Sequence, residues 1–194
     1  MNSTPIYANP LRPIRLPDDT KELVIQRFGE SQVNLRENAV RIIASMAGGV
    51  PPSLTPQLLQ MAETDAEGRV RGVAISVLAS IPSPAPEITD FWLQSLRDVP
   101  NKELRGNVLH AFRFYPPTDS RIISLVTDAL KDAEYYVRQE AIASVIKIGK
   151  PAAAALPLLL EIRDANLGAS ERDQSMRMNA ESAIRILSGS APNR

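Results

Sequence analysis

Residues 70–82 read VRGVAISVLASIP: an apolar residue, an arginine and a run of apolar residues at helical spacing, here ended by a proline. The same order recurs in LRENAVRIIASMA (35–47), LRGNVLHAFRFYP (104–116), VRQEAIASVIKIG (137–149) and MRMNAESAIRILS (176–188). The arginines are Arg36, Arg71, Arg105, Arg138 and Arg177, separated by 35, 34, 33 and 39 residues. With each arginine as position zero, position three holds Ala39, Ala74, Val108, Ala141 and Ala180. Position seven holds Ile43, Leu78, Phe112, Val145 and Ile184. Positions minus one, three, seven and ten fall on one stripe of a helix with about 3.6 residues per turn. Every run stops at a breaker: Gly48-Gly49, Pro82, Pro116-Pro117, Gly149 before Pro151, or Gly189.

A second helical pattern precedes each run, over 19–28, 56–63, 87–97, 119–131 and 152–163. Each carries an apolar pair: Leu23-Val24, Leu58-Leu59, Trp92-Leu93, Leu125-Val126 or Leu158-Leu159. Thr55 and Thr118 read as N-caps for helices that open on Pro56 and Asp119. No alternating strand pattern is present. Two helices per ~34 residues predict an all-α fold, a right-handed α-solenoid of about five two-helix repeats. The expected division is a Pro-rich tail over 1–17, the repeats over 18–188 and a C-terminal tail over 189–194. Position four is Val40, Ile75, Leu109 and Ile142, then Glu181. A polar outer face is what a terminal repeat requires, so the array is expected to end there and the chain to be complete.

Three further features carry a family resemblance. An aspartate closes the first helix: Asp65, Asp98, Asp132 and Asp164. An apolar-Arg pair opens the second helix six or seven residues later in three of these units. Pro157 falls inside the first-helix pattern of the last repeat. In these respects the chain resembles HEAT repeats, especially the short bacterial type also found in phycobilisome lyases, over about 18–187. Tetratricopeptide repeats share the period, but their Trp, Leu-Gly and Tyr pattern is not present, and armadillo repeats have three helices. The resemblance implies a scaffold whose second helices line the concave side and bind a protein or peptide. The lyase-type likeness adds bilin handling as an alternative. HEAT-like DNA glycosylases hold DNA in a basic groove, whereas this chain has 22 basic and 22 acidic residues, which disfavours nucleic acid. HEAT-like deoxyhypusine hydroxylases use several His-Glu pairs, and a chain with one histidine cannot supply them.

The arginine lies on the edge of the apolar stripe, where a guanidinium needs a partner. Asp65, Arg71, Asp98, Arg105, Asp132 and Arg138 are therefore expected to form a structural ladder between repeats. Positions one, two, five and nine point away from the stripe. Among them Arg41, Asn107, His110, Phe114, Glu140 and Lys147 are the candidate partner-binding residues, with Phe114 as the aromatic anchor. Gly72 and Gly106 are expected to hollow a shallow groove on neighbouring rungs. Trp92 is assigned to the core. Of the adjacent aromatics Phe91 and Trp92, and of Tyr135 and Tyr136, one each is expected to be partly exposed.

Chemistry is sparsely encoded. With no cysteine and one histidine, Cys-based metal sites, Cys nucleophiles and His-rich sites are excluded. No phosphate-binding glycine loop and no GxSxG elbow occurs. We therefore expect no catalytic residues, no metal and no cofactor. The start lacks a signal-peptide pattern, and no run of ~20 apolar residues is present. The expectation is a cytoplasmic, non-membrane protein with a protein or peptide partner, either a monomer or an oligomer of undetermined state.

Overall fold

The computed structural model describes residues 18–46, 49–165 and 170–189. Both expected tails lie outside these residues, apart from Gly189. The described residues form ten α-helices and no strand. They are α1 (Asp18–Gln26), α2 (Val33–Ala44), α3 (Thr55–Thr64), α4 (Gly68–Ala79), α5 (Pro86–Arg97), α6 (Lys102–Phe112), α7 (Ser120–Asp128), α8 (Tyr135–Ile148), α9 (Leu156–Asp164) and α10 (Glu171–Ser188). Short 3-10 turns extend α1 and α7, and others lead into α3 and α9. The odd-numbered helices are the first helices of the repeats and the even-numbered ones carry the arginines.

The chain divides into two units, the first ending at Ser83 and the second starting at Pro84. In the first, α3 packs on α4, α1 on α2, and the second helices α2 and α4 pack on each other. Its core holds Val40, Ile43, Leu58, Val70, Ile75 and Leu78, all fully buried. In the second unit α5 packs on α6, α7 on α8 and α9 on α10. One layer continues from α5 to α7, and the other runs through α6, α8 and α10. Leu109, Phe112, Ile142 and Leu159 fill the space between. Position four is fully buried at Val40, Ile75, Leu109 and Ile142, whereas Glu181 is exposed.

Local departures from the sequence reading have local causes. Thr55 is not a cap: it is the first residue of α3, buried, with Leu54 in the cap position. The cap of α7 is Asp119 rather than Thr118, and its carboxylate accepts the Arg121 N–H at 2.8 Å. Pro157 interrupts nothing. The chain makes a 3-10 turn over Lys150–Ala155, and α9 opens at Leu156 with proline in its first turn, where no N–H is required. Helix α10 starts five residues before Met176, because Ser170 caps it. The Ser170 hydroxyl accepts the Asp173 N–H at 3.3 Å and donates to its carboxylate at 2.6 Å.

Phe91 and Trp92 are both buried. Helix α5 buries Ile88, Phe91, Trp92, Leu93, Ser95 and Leu96, an arc too wide for one apolar stripe. Adjacent aromatics about 100° apart thus both reach the interior. Trp92 meets the edge of Phe112 at 5.6 Å between ring centroids. Tyr135 is half-buried, and Tyr136 is exposed. None of the described helices is long and apolar enough to cross a membrane.

Candidate functional site

The arginines at position zero make a repeated two-sided contact. Arg36 donates from Nε and Nη2 to the Asp65 carboxylate at 2.8 and 2.9 Å. Arg105 does the same to Asp132 at 2.7 and 3.0 Å. These are forked, charge-assisted pairs. The acceptor belongs to the repeat that follows the arginine. The Nη1 group turns back to its own repeat's loop: Arg71 to the Asp65 carbonyl, Arg105 to the Asp98 and Val99 carbonyls, and Arg138 to the Asp132 and Ala133 carbonyls. Asp65 and Asp132 also accept the N–H two residues on, each at 2.9 Å. Arg71 lies in the first unit and Asp98 in the second.

The Arg36 hydrogen bonds hold the Asp65 carboxyl below the usual carboxylate range, against its own desolvation. At Asp132 burial is the largest influence and pushes upward. The Arg105 hydrogen bonds, the Glu134 N–H and the charges of Arg105 and Arg138 together outweigh it and hold the carboxyl low.

The candidate binding residues divide between the two units. In the first, Arg41 pairs with Glu37 on its own helix at 2.6 Å. In the second, α6 and α8 bring His110, Phe114 and Glu140 into one group. His110 Nδ1 stands 3.3 Å from Glu140 Oε2, and its ring meets the edge of Phe114 at 5.5 Å. Arg113, which the sequence reading passes over, donates to Glu140 at 3.4 Å and places its guanidinium carbon 5.9 Å from the Phe114 ring centre. Glu140 differs from expectation, since it is buried. Position two dips inward there, as it does at the buried Val73. Ser144, one turn along, bonds the Leu109 and Glu140 carbonyls at 2.7 and 2.9 Å and ties α8 to α6. Asn107 and Phe114 are half-buried, and Lys147 is exposed.

Gly106 makes no groove. The Tyr136 ring from α8 lies over it, in the space a side chain would take. Burial first, and the Glu140 charge second, raise the Tyr136 hydroxyl above its ordinary value of 10.0, with Arg113 opposing. The group presents a half-buried aromatic flanked by a cation and an imidazole, both beside a buried carboxylate. No set of three His, Cys, Asp or Glu residues able to hold a metal occurs among the described residues.

A cleft of about 210 Å3 lies between α8, the end of α9 and α10. Tyr135, Arg138, Glu161, Ile162, Ala165, Asp173 and Met176 line it. Tyr135 donates its hydroxyl to the Arg172 carbonyl at 3.0 Å, and the guanidinium carbons of Arg138 and Arg172 lie 5.9 and 5.6 Å from its ring centre. Asp164 does not continue the aspartate column. It is the last residue of α9, exposed, and pairs with neighbouring Arg163 at 2.7 Å. The C-cap that follows is Ala165, with φ −55° and ψ 137°. Asp65 has −59° and 134°, and Asp132 −56° and 143°, so Ala165 is their backbone equivalent.

The family description "HEAT repeats" matches residues 89–185. No curated protein matches the chain. A crystal structure of an engineered protein superposes with a TM-score of 0.54 at 15% identity, covering 88% of this chain and 80% of that one. A designed armadillo repeat protein gives 0.48 at 17% identity, with 84% and 80% covered. The fold class is that of the helical-repeat solenoids. With half its length matched and its helices paired repeat by repeat, the chain belongs to the HEAT repeat family.

Proposed function

We propose that this chain is a non-enzymatic adaptor that binds another protein through the second-helix face, with Phe114 as the anchor. The observation that carries the reading is the His110, Arg113, Phe114 and Glu140 group. A half-buried aromatic flanked by an arginine and a histidine that both stand beside Glu140 loses little conformational freedom on binding. HEAT repeats are typical of protein-interaction scaffolds, which favours this class of function over catalysis.

The test is a pull-down read by mass spectrometry, comparing the natural chain with a Phe114→Ala, Lys147→Glu variant. Truncating an anchor of this kind costs about 2 kcal/mol or more of binding. The expected result is loss of the captured partners with an unchanged thermal melt. Partners retained by a variant that melts normally would remove this face from consideration.

A further inference from the structure

The repeats themselves show what an arginine at position zero takes. Arg36 and Arg105 each close their Nε and Nη2 edge on a carboxylate at the C-cap of the next first helix. For Arg138 the corresponding C-cap is Ala165, in the same backbone conformation. Among the described residues no carboxylate hydrogen-bonds Arg138, which bonds the two loop carbonyls, lies near the Tyr135 ring and shares its charge with the Asp132 carboxylate that Arg105 already grips. The segment 166–169 reads Asn, Leu, Gly, Ala and carries no acid. Where the Arg36 and Arg105 rungs have a carboxylate, this one has a methyl group and a cleft of about 210 Å3.

We propose that this cleft is a receptor for a carboxylate brought by a ligand, either an acidic side chain of a bound peptide or a small free carboxylic acid. Arg138 takes the carboxylate in the forked geometry that Arg36 and Arg105 already use. Ile162, Ala165 and Met176 take the carbon body. The cleft is smaller than the ~300–1,000 Å3 of drug-sized sites, so it admits a single short side chain or its free equivalent. Two lining acids oppose the ligand. Asp173 has one oxygen engaged by the Ser170 hydroxyl. Glu161 is exposed, and its charge weakens binding without abolishing it. The proposal is independent of the Phe114 surface, since it uses different helices and different residues.

The experiment is a heteronuclear NMR titration of the full chain, following the Arg138 Nε–H and the Ile162 and Met176 methyls. The probes are N-acetyl-aspartate methylamide, its asparagine counterpart and acetate. The expected result is saturable shifts with the aspartate probe and none with asparagine. An equal response to acetate identifies a free acid as sufficient, and a response to the aspartate probe alone identifies a peptide-borne group. Arg138→Lys removes the response, and Glu161→Gln tightens it by about threefold. Ala165→Asp supplies the carboxylate internally. It blocks the probes, moves the Arg138 signal toward those of Arg36 and Arg105, and raises Tm by roughly 2–4 °C. If Ala165→Asp does not fold, the Glu161→Gln and Arg138→Lys titrations decide. Equal shifts with aspartate and asparagine would overturn the proposal. So would an Arg138 signal that ignores every probe yet moves on Glu161→Gln alone, because Glu161 would then be its partner.

Discussion

Arg105 is 4% exposed, and four of its N–H donors are taken by Asp132 and two carbonyls. Removing it strands a largely buried carboxylate and two loop carbonyls, so Arg105→Ala should cost about 3 kcal/mol in chemical denaturation at neutral pH. Lys102→Ala, which deletes an exposed contact to Glu134, should cost under about 0.5 kcal/mol. The difference depends on pH with a definite sign. The folded Asp132 carboxyl lies below its ordinary value of 3.8, so its contribution is complete above about pH 4. It is lost as pH falls through the folded value. Natural and Arg105→Ala stabilities should therefore converge in acid, and an undiminished gap at low pH would show that Asp132 is not the group responsible. The columns of Asp and Arg are visible in the sequence because they recur. Their pairing is not visible, because Asp98 and Asp132 stand seven residues before and 27 after Arg105, and both distances suit a ladder. The departure at the last rung is a shift of one residue. Asp164 occupies the column in the alignment, while the helix actually ends on Ala165. No propensity argument resolves a helix end to one residue.

At the scale of the element, Gly106 shows how two second helices are spaced. A Cβ there would stand 2.8 Å from Cδ1 of the Tyr136 ring and closer still to Cε1. Alanine in a helix interior is intrinsically better than glycine by about 1 kcal/mol, and the collision opposes this. Gly106→Ala alone should destabilise by about 1 kcal/mol, because it drives the ring off α6. In a Tyr136→Ala background the same change should stabilise by about 0.5–1 kcal/mol. A double-mutant cycle by urea denaturation measures this reversal, and equal effects in both backgrounds would mean the ring does not depend on the glycine. The helices and their buried faces are readable from period alone, since positions three and seven are strictly apolar. The role of Gly106 is not, because a small residue on a polar face reads as a gap, and only the neighbouring helix reveals a tyrosine filling it. The same reason hides the burial of Phe91 beside Trp92 and of Glu140. Helical wheels describe one contact surface, whereas a helix inside a repeat stack has several.

For the whole molecule, the division at Ser83 and Pro84 makes a separable prediction. Leu78 is fully buried in the first unit, and the chain's one tryptophan, Trp92, is buried in the second. Leu78→Asp places a charge in the first core and should abolish its helical signal. Trp92 emission should stay that of a buried indole, since repeat arrays lose structure locally. A simultaneous red shift of Trp92 would show that the two units melt as one. Period and composition made the repeat class legible over the chain, but the candidate surface around Phe114 depends on contacts between helices about 30 residues apart, which no single segment encodes. The forward direction of the arginine pairs has a consequence for synthesis. Arg36 and Arg105 are each made 29 and 27 residues before the aspartate that grips them. At roughly 5–20 residues per second the guanidinium waits about 1–6 s for its acceptor. Each such repeat therefore leaves the ribosome with its clasp open, and folding trails translation by one repeat. The Arg138 repeat differs, because the C-cap that follows it, Ala165, brings no acidic acceptor.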